Sequence, residues 1–207
     1  MVTSDLDILP APIRALAGHG ARIGLLGGSF NPAHDAHFHI SQIALRRLRL
    51  DAVWWLVSPQ NPLKPSAGMA PLAKRLERAR QVARHPRFFV SAVEEGLQTR
   101  YSIDTILALQ HLFSQARFVW LMGGDSLAEF HKWRHWQDIF LNIPIAVIAR
   151  PGFTVRALNS PAAERFRPAR VADPDRLCDK AAPAWSFLLE ALSPTSATAI
   201  RRQGNWL

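Results

Sequence analysis

Apolar positions along this chain fall into short unbroken runs that alternate with segments of helical period. Ile23–Leu26, Ala52–Val57 and Phe118–Met122 lack charged or polar side chains, the pattern of strands buried on both faces. Phe88–Val93, Ile143–Ile148 and Trp185–Leu189 add three more candidate strands. Between them, residues 36–50 place Phe38, Ile40, Ile43, Ala44, Leu45 and Leu48 on one helical face. PLAKRLERARQVAR at 71–84 predicts a basic helix with Pro71 in its first turn. A further helix is predicted from an N-cap at Ser102 through Phe113, and a tryptophan-rich one to about Phe140. Residues 153–183, rich in proline and charge, predict irregular structure. SPTSATAIRR near the end predicts a turn passing into a helix.

Buried strands alternating with helices imply an α/β fold: a Rossmann-like, doubly wound, mostly parallel sheet with helices on both faces. Residues 1–21 read as an N-terminal extension and 22–207 as a single domain. Ligands in such folds sit at the carboxyl ends of the strands, near the point where strand order reverses. Motifs that directly follow strands therefore carry the chemical information.

Charge adds a preference for anionic partners. Lys and Arg number 25 against 16 Asp and Glu, a formal net charge of +9, which suits nucleotides, nucleic acid or an acidic surface equally. A basic nucleic-acid-binding module, drawing on seven tryptophans, stays open on this count and predicts salt-sensitive binding. The basic residues of 74–87, however, share one helix with apolar spacing, as a solvated face would. Cys178 is the one cysteine, so no intramolecular disulfide forms. The first residues, MVTSDLDILPAP, are acidic where a secretory signal is basic, and no apolar run is long enough to span a bilayer. The expected compartment is the cytoplasm, with no membrane partner.

After the first strand comes Gly27-Gly28-Ser29-Phe30-Asn31-Pro32-Ala33-His34-Asp35-Ala36-His37. Two glycines permit a sharp turn and close approach of a ligand to main-chain N–H groups. The helix start beyond them favours phosphate. His34 and His37 are spaced to face one ligand there, donating to phosphate oxygens. They could equally be polar helix-start residues, or with His39 ligate zinc, although no cysteine is near and the HExxH order is missing.

Four later segments fit the same ligand. Lys64 lies in the proline-stiffened loop Ser58–Pro65 as a phosphate anchor, or as a plain surface lysine. Asp125 follows Gly123-Gly124 and can accept from ribose hydroxyls, or cap a helix. Ser196 and Thr198 offer hydroxyls at a helix start, and Arg201 a planar fork for phosphate. Trp133 and Trp136 suit either a ring-binding wall or core packing.

GGSFNPAHDAH resembles the signature of the (H/T)xGH nucleotidyltransferase superfamily, above all of bacterial nicotinate mononucleotide adenylyltransferases, which read GG(T/S)F(D/N)PxHxGH. Ala36 stands where that family has glycine. Ser58–Pro65 resembles its PxxxPxK loop, Arg100–Thr105 its SYTIDTL segment, Gly123–Asp125 its GxD motif, and Thr195–Arg201 its ISSTxIR motif, with Ala197 in place of a serine. The likeness spans about residues 22–202.

The resemblance implies an enzyme that joins the AMP moiety of ATP to nicotinate mononucleotide and releases pyrophosphate, a step of NAD biosynthesis. Nicotinamide mononucleotide and phosphopantetheine are the alternative acceptors. It implies catalytic roles for His34, His37, Lys64 and Arg201. ATP would be bound by Gly27, Gly28, Ser29, Phe30, His34, His37, Gly123, Asp125, Ser196, Thr198 and Arg201. The pyridine nucleotide would meet Ser29, Phe30, Lys64, Ser102, Thr105 and Trp133. Magnesium would arrive on the ATP phosphates, with no protein-held metal.

Overall fold

The computed structural model describes residues 15–17, 19–59 and 68–190. Six strands form one sheet: β1 Arg22–Gly28, β2 Ala52–Val57, β3 Phe88–Ser91, β4 Arg117–Gly123, β5 Ile145–Ile148 and β6 Trp185–Leu188. Their order is β3-β2-β1-β4-β5-β6, and every neighbouring pair is parallel. This is the doubly wound order whose reversal lies between β1 and β4. Leu25 registers with Trp54 on one side and Trp120 on the other, so two indoles flank the central strand on one face.

Both faces are covered. Helix α1, Asp35–Arg47, and α2, Leu72–Val82, lie over Val53, Trp55 and Leu121. The opposite face, with Trp54, Trp120 and Trp185, carries α3 Val93–Gly96, α4 Ser102–Leu112, α5 Gly124–Glu129, α6 Trp136–Asn142, α7 Thr154–Leu158 and α8 Pro161–Arg165. Burying Ile40 and Ile43 of α1 contributes about 1.5–3 kcal/mol each. Gly24 faces the α1 side, where a Cβ would meet Leu121 Cδ1 at 2.7 Å and Leu50 Cδ1 at 2.8 Å.

Several boundaries differ from the sequence expectation, each for a local reason. Helix α1 stops at Arg47 rather than 50. Arg49 takes the left-handed region (φ 51°), and the N–H groups of Leu50 and Arg49 donate to the carbonyls of Leu45 and Arg46, a Schellman close without glycine. Ser102 is the first helical residue of α4, not its N-cap; Tyr101 holds that position, its carbonyl accepting from Asp104 and Thr105 N–H. β3 ends at Ser91, and Val93 begins α3. The tryptophan-rich helix is split in two, because Trp133 is extended and His135 has φ 53°. Residues 153–183 are not irregular. They hold α7, α8 and two 3-10 turns, and Ser160 Oγ caps α8 by accepting from Ala163 N–H. No described helix is long and apolar enough to cross a membrane.

Candidate functional site

A cleft of about 90 Å³ opens at the carboxyl ends of β1 and β4, where a doubly wound sheet holds its ligand. Leu26 and Gly27 form its β1 wall, and Trp120 to Gly123 its β4 wall. His34, Ala36 and His37 close one side, and Asp125, Trp133 and Arg150 the other.

The two histidines owe their placement to the start of α1. His34 is the N-cap, with extended backbone, and only 5% of it is exposed. Its N–H donates to His37 Nδ1 at 3.2 Å. A neutral ring whose Nδ1 accepts carries its proton on Nε2, so His37 holds an N–H donor on its other nitrogen. The rings of His34 and His37 lie 4.0 Å apart. Phe30, at φ 45°, stacks on Trp55 at 5.2 Å and meets the His37 ring at 4.7 Å. Trp55 Nε1 donates to Ser41 Oγ, which donates to the His37 carbonyl. His37 is thus held by its ring, its Nδ1 and its backbone. At the start of α1 the His37 N–H donates to the His34 carbonyl at 2.9 Å, and the helix dipole puts partial positive charge at this end.

Across the cleft, Arg150 Nη1 donates to Asp125 Oδ2. The Asp125 carboxylate fills the space beside Gly123, where a Cβ would overlap Oδ1. Gly123 leaves room for the Asp125 carboxylate in this orientation, and Asp125 is helical rather than an N-cap. A Cβ at Gly27 would run into the Trp120 indole, whereas one at Gly28 would make only ordinary contact with Phe30.

Not every sequence-derived candidate reaches the cleft. Gly28, Ser29 and Phe30 are not among its lining residues, and Phe30 packs against Trp55 and His37. Trp133 lines it edge-on to Trp120, while Trp136 packs on Phe140 and Phe166. Thr105 is fully buried and shares a hydrogen bond with Thr99 Oγ1 at 2.8 Å, so no open surface reaches its hydroxyl. Ser102 adjoins Tyr101, over whose ring the Arg134 guanidinium lies at 4.9 Å. Lys64, Ser196, Thr198 and Arg201 fall outside the described residues.

Among the described residues no three His, Cys, Asp or Glu side chains converge on a metal position, His34, His37 and His39 included. Part of the excess positive charge is matched locally: Arg46 and Arg47 pair with Glu190, and Arg22 and Arg117 with Asp179. Cys178 is buried and its thiol pushed up to about 12 by desolvation, which makes it inert at neutral pH.

Three further residues stand out in the structure but not in the sequence motifs. Arg150 lies two residues beyond β5 and carries only a positional signal, just past a strand's carboxyl end. Arg75 is 1% exposed, although it belongs to the helix that reads as a solvated basic face. Glu94 is buried, and desolvation raises its carboxyl to about 7 against a hydrogen bond from Ser58 that lowers it.

Glu94 gives a pH prediction. The folded state binds this proton more tightly than the unfolded chain, whose carboxyl has the ordinary value of 4.5. Its contribution to stability is full below pH 4.5 and is lost as pH rises through 7, a change of roughly 3 kcal/mol. Urea midpoints of the wild type relative to Glu94→Gln should therefore decline from pH 5 to pH 8. Parallel pH profiles for the two proteins would refute this.

The cytidylyltransferase-like family model matches residues 25–203 of the chain. A Parvibaculum lavamentivorans protein named "Probable nicotinate-nucleotide adenylyltransferase" is 51% identical over 195 residues, 93% of this chain and 97% of that one. A Bradyrhizobium sp. protein of the same name is 52% identical over 188 residues, 89% of this chain and 98% of its own length. The fold is similar to that of Plasmodium falciparum nicotinic acid mononucleotide adenylyltransferase complexed with NaAD, with a TM-score of 0.66 and 14% identity over 88% of this chain and 83% of that one. Half identity over nearly the full length of those relatives, within the span of that model, means that the chain belongs to the cytidylyltransferase-like family of nucleotidyltransferases, on its nicotinate-nucleotide adenylyltransferase branch.

Proposed function

We propose that the chain transfers the adenylyl group of ATP to nicotinate mononucleotide, giving nicotinate adenine dinucleotide and pyrophosphate for NAD synthesis. The observation that carries this is the pair of imidazoles 4.0 Å apart at the start of α1, in a cleft at the β1/β4 reversal. The same reading treats residues 22–207 as one catalytic domain behind the extension 1–21 and puts the enzyme in the cytoplasm, where its substrates are made and used.

The acceptor's 5′-phosphate oxygen attacks the α-phosphorus of ATP. A new P–O bond forms as the bond to the β-phosphate bridging oxygen breaks, and pyrophosphate carries away the electron pair. The nucleophile is already an anion, so no protein base is required. What the protein supplies is orientation and donors aimed at the phosphate oxygens. His37 offers its Nε2–H, and the α1 N-terminus adds the positive end of its helix dipole. Lys64 and Arg201 are the further cations of this reading.

Magnesium enters as part of the MgATP substrate. Among the described residues the cleft offers one carboxylate, Asp125, and Arg150 already pairs with it, so that donor set does not fit a resident metal.

Asp125 is assigned to the ATP ribose. Asp125→Ala should raise the Kd for ATP about tenfold, the loss of one charge-assisted hydrogen bond, with a smaller change in kcat. Calorimetry that shows unchanged ATP affinity would remove Asp125 from the nucleotide subsite.

The reading itself is tested by pyrophosphate release from the purified protein with ATP and magnesium. Nicotinate mononucleotide, its amide and phosphopantetheine are offered in parallel. Preference for the first is expected. Preference for another acceptor moves the enzyme to another pathway, and no release with any of them overturns adenylyl transfer.

A further inference from the structure

Arg75 is a buried cation without a buried anion. It is 1% exposed, no described carboxylate pairs with it, and desolvation lowers its pKa. Four of its five N–H donors are spent on neutral carbonyls. Nε donates to Ala70 O at 2.9 Å and Nη2 to Pro59 O at 2.7 Å. Nη1 donates to Ser29 O at 2.7 Å and to Ser58 O at 2.6 Å. Burying a charge in this way is costly, and a core needing only volume is better filled by an apolar side chain.

The four carbonyls are not scattered. Ser29 ends the exit of β1, Ser58 and Pro59 the exit of β2, and Ala70 precedes α2. Ala70 is held on both sides, because its N–H donates to Asn31 Oδ1 while its carbonyl accepts from Arg75 Nε. Asn31 Nδ2 also donates to Gly68 O at 3.0 Å. Between Ser29 and Asn31 lies Phe30, a non-glycine residue at φ 45°, whose conformation needs outside support. Its ring is what His37 packs against.

We propose that Arg75 is a positioning residue of the reaction: by holding the exits of β1 and β2 together it keeps Phe30, and through it His37, where a phosphate oxygen can be met. This inference rests on the adenylyl-transfer reading. It extends that reading to a residue in α2 that does not line the cleft.

The test is steady-state kinetics of the wild type, Arg75→Lys and Arg75→Met with MgATP and nicotinate mononucleotide, after circular dichroism and thermal unfolding establish the folded fraction. Misplacement by about 1 Å costs on the order of a hundredfold in rate. Arg75→Met is therefore expected to lose roughly that factor in kcat per folded enzyme, with KM for both substrates within about threefold. Arg75→Lys keeps the charge but not the planar fork and should lie between the two. A merely structural role would lower the melting temperature and leave kcat per folded enzyme unchanged. Wild-type kcat in either folded variant overturns the proposal. If Arg75→Met does not fold, Arg75→Lys decides alone. An inactive wild type instead overturns the adenylyl-transfer reading, and with it this inference.

Discussion

Alanine at His37 is expected to lower kcat by roughly two to three orders of magnitude, the usual cost of removing one preorganised donor from a site of developing charge. The ring is half-buried, so the melting temperature should move by only a few degrees. Because the donor acts on charge that shifts during P–O bond exchange, kcat and kcat/KM should fall together. His34→Ala should also cost much of the rate, since it removes the ring lying 4.0 Å from His37. Its stability loss should be the larger of the two, because His34 is 5% exposed. His37→Asn keeps an amide N–H of shorter reach and should recover part of the loss. Near-normal turnover in His37→Ala would remove the imidazole from the mechanism and leave the α1 N-terminus as the main local donor.

That expectation was available from residue order alone, and the reason is physical. A strand buried on both faces has no polar positions, so Ile23–Leu26 and Phe118–Met122 announce themselves. Their carboxyl ends then point to the loops that carry His34 and Asp125. Features that depend on a single backbone angle are invisible at this level. Nothing in the identity of Arg49 or His135 requires φ near 50°, yet these residues end one helix and split another.

Other features carried a signal that composition hid. Ser160-Pro161 and Asp173-Pro174 each place a capping side chain before a proline at the first helical position, although the surrounding charge and proline read as irregular. Arg75 lies three residues after Leu72 and four before Ala79, which puts it on the apolar stripe of α2. A lone arginine on such a stripe must find buried partners. The Asp125–Arg150 pair needed the structure, because only the register of β4 beside β5 brings the two ends together.

Gly27→Ala is the other large effect. Gly27 sits in β1 on the face shared with Leu25, and a methyl group there would overlap the six-membered ring of Trp120. Alanine is otherwise acceptable in a strand, so any loss is steric, about 1–3 kcal/mol for overpacking of this kind. The displaced indole has little room, since Trp133 stands edge-on to it at 6.4 Å and both rings line the cleft. Acceptor KM should therefore rise along with the drop in stability. Trp120→Phe removes the outer ring atoms that the new methyl meets, at its own cavity cost of about 1–3 kcal/mol. Urea unfolding of the two single variants and the double variant isolates the contact. The double variant should be more stable than the sum of the single losses predicts by at least about 1 kcal/mol, because the methyl then occupies space the indole vacated. Strict additivity would mean that Gly27 is required for a reason other than the Trp120 ring, and a ligand approaching the β1 backbone would become the better explanation.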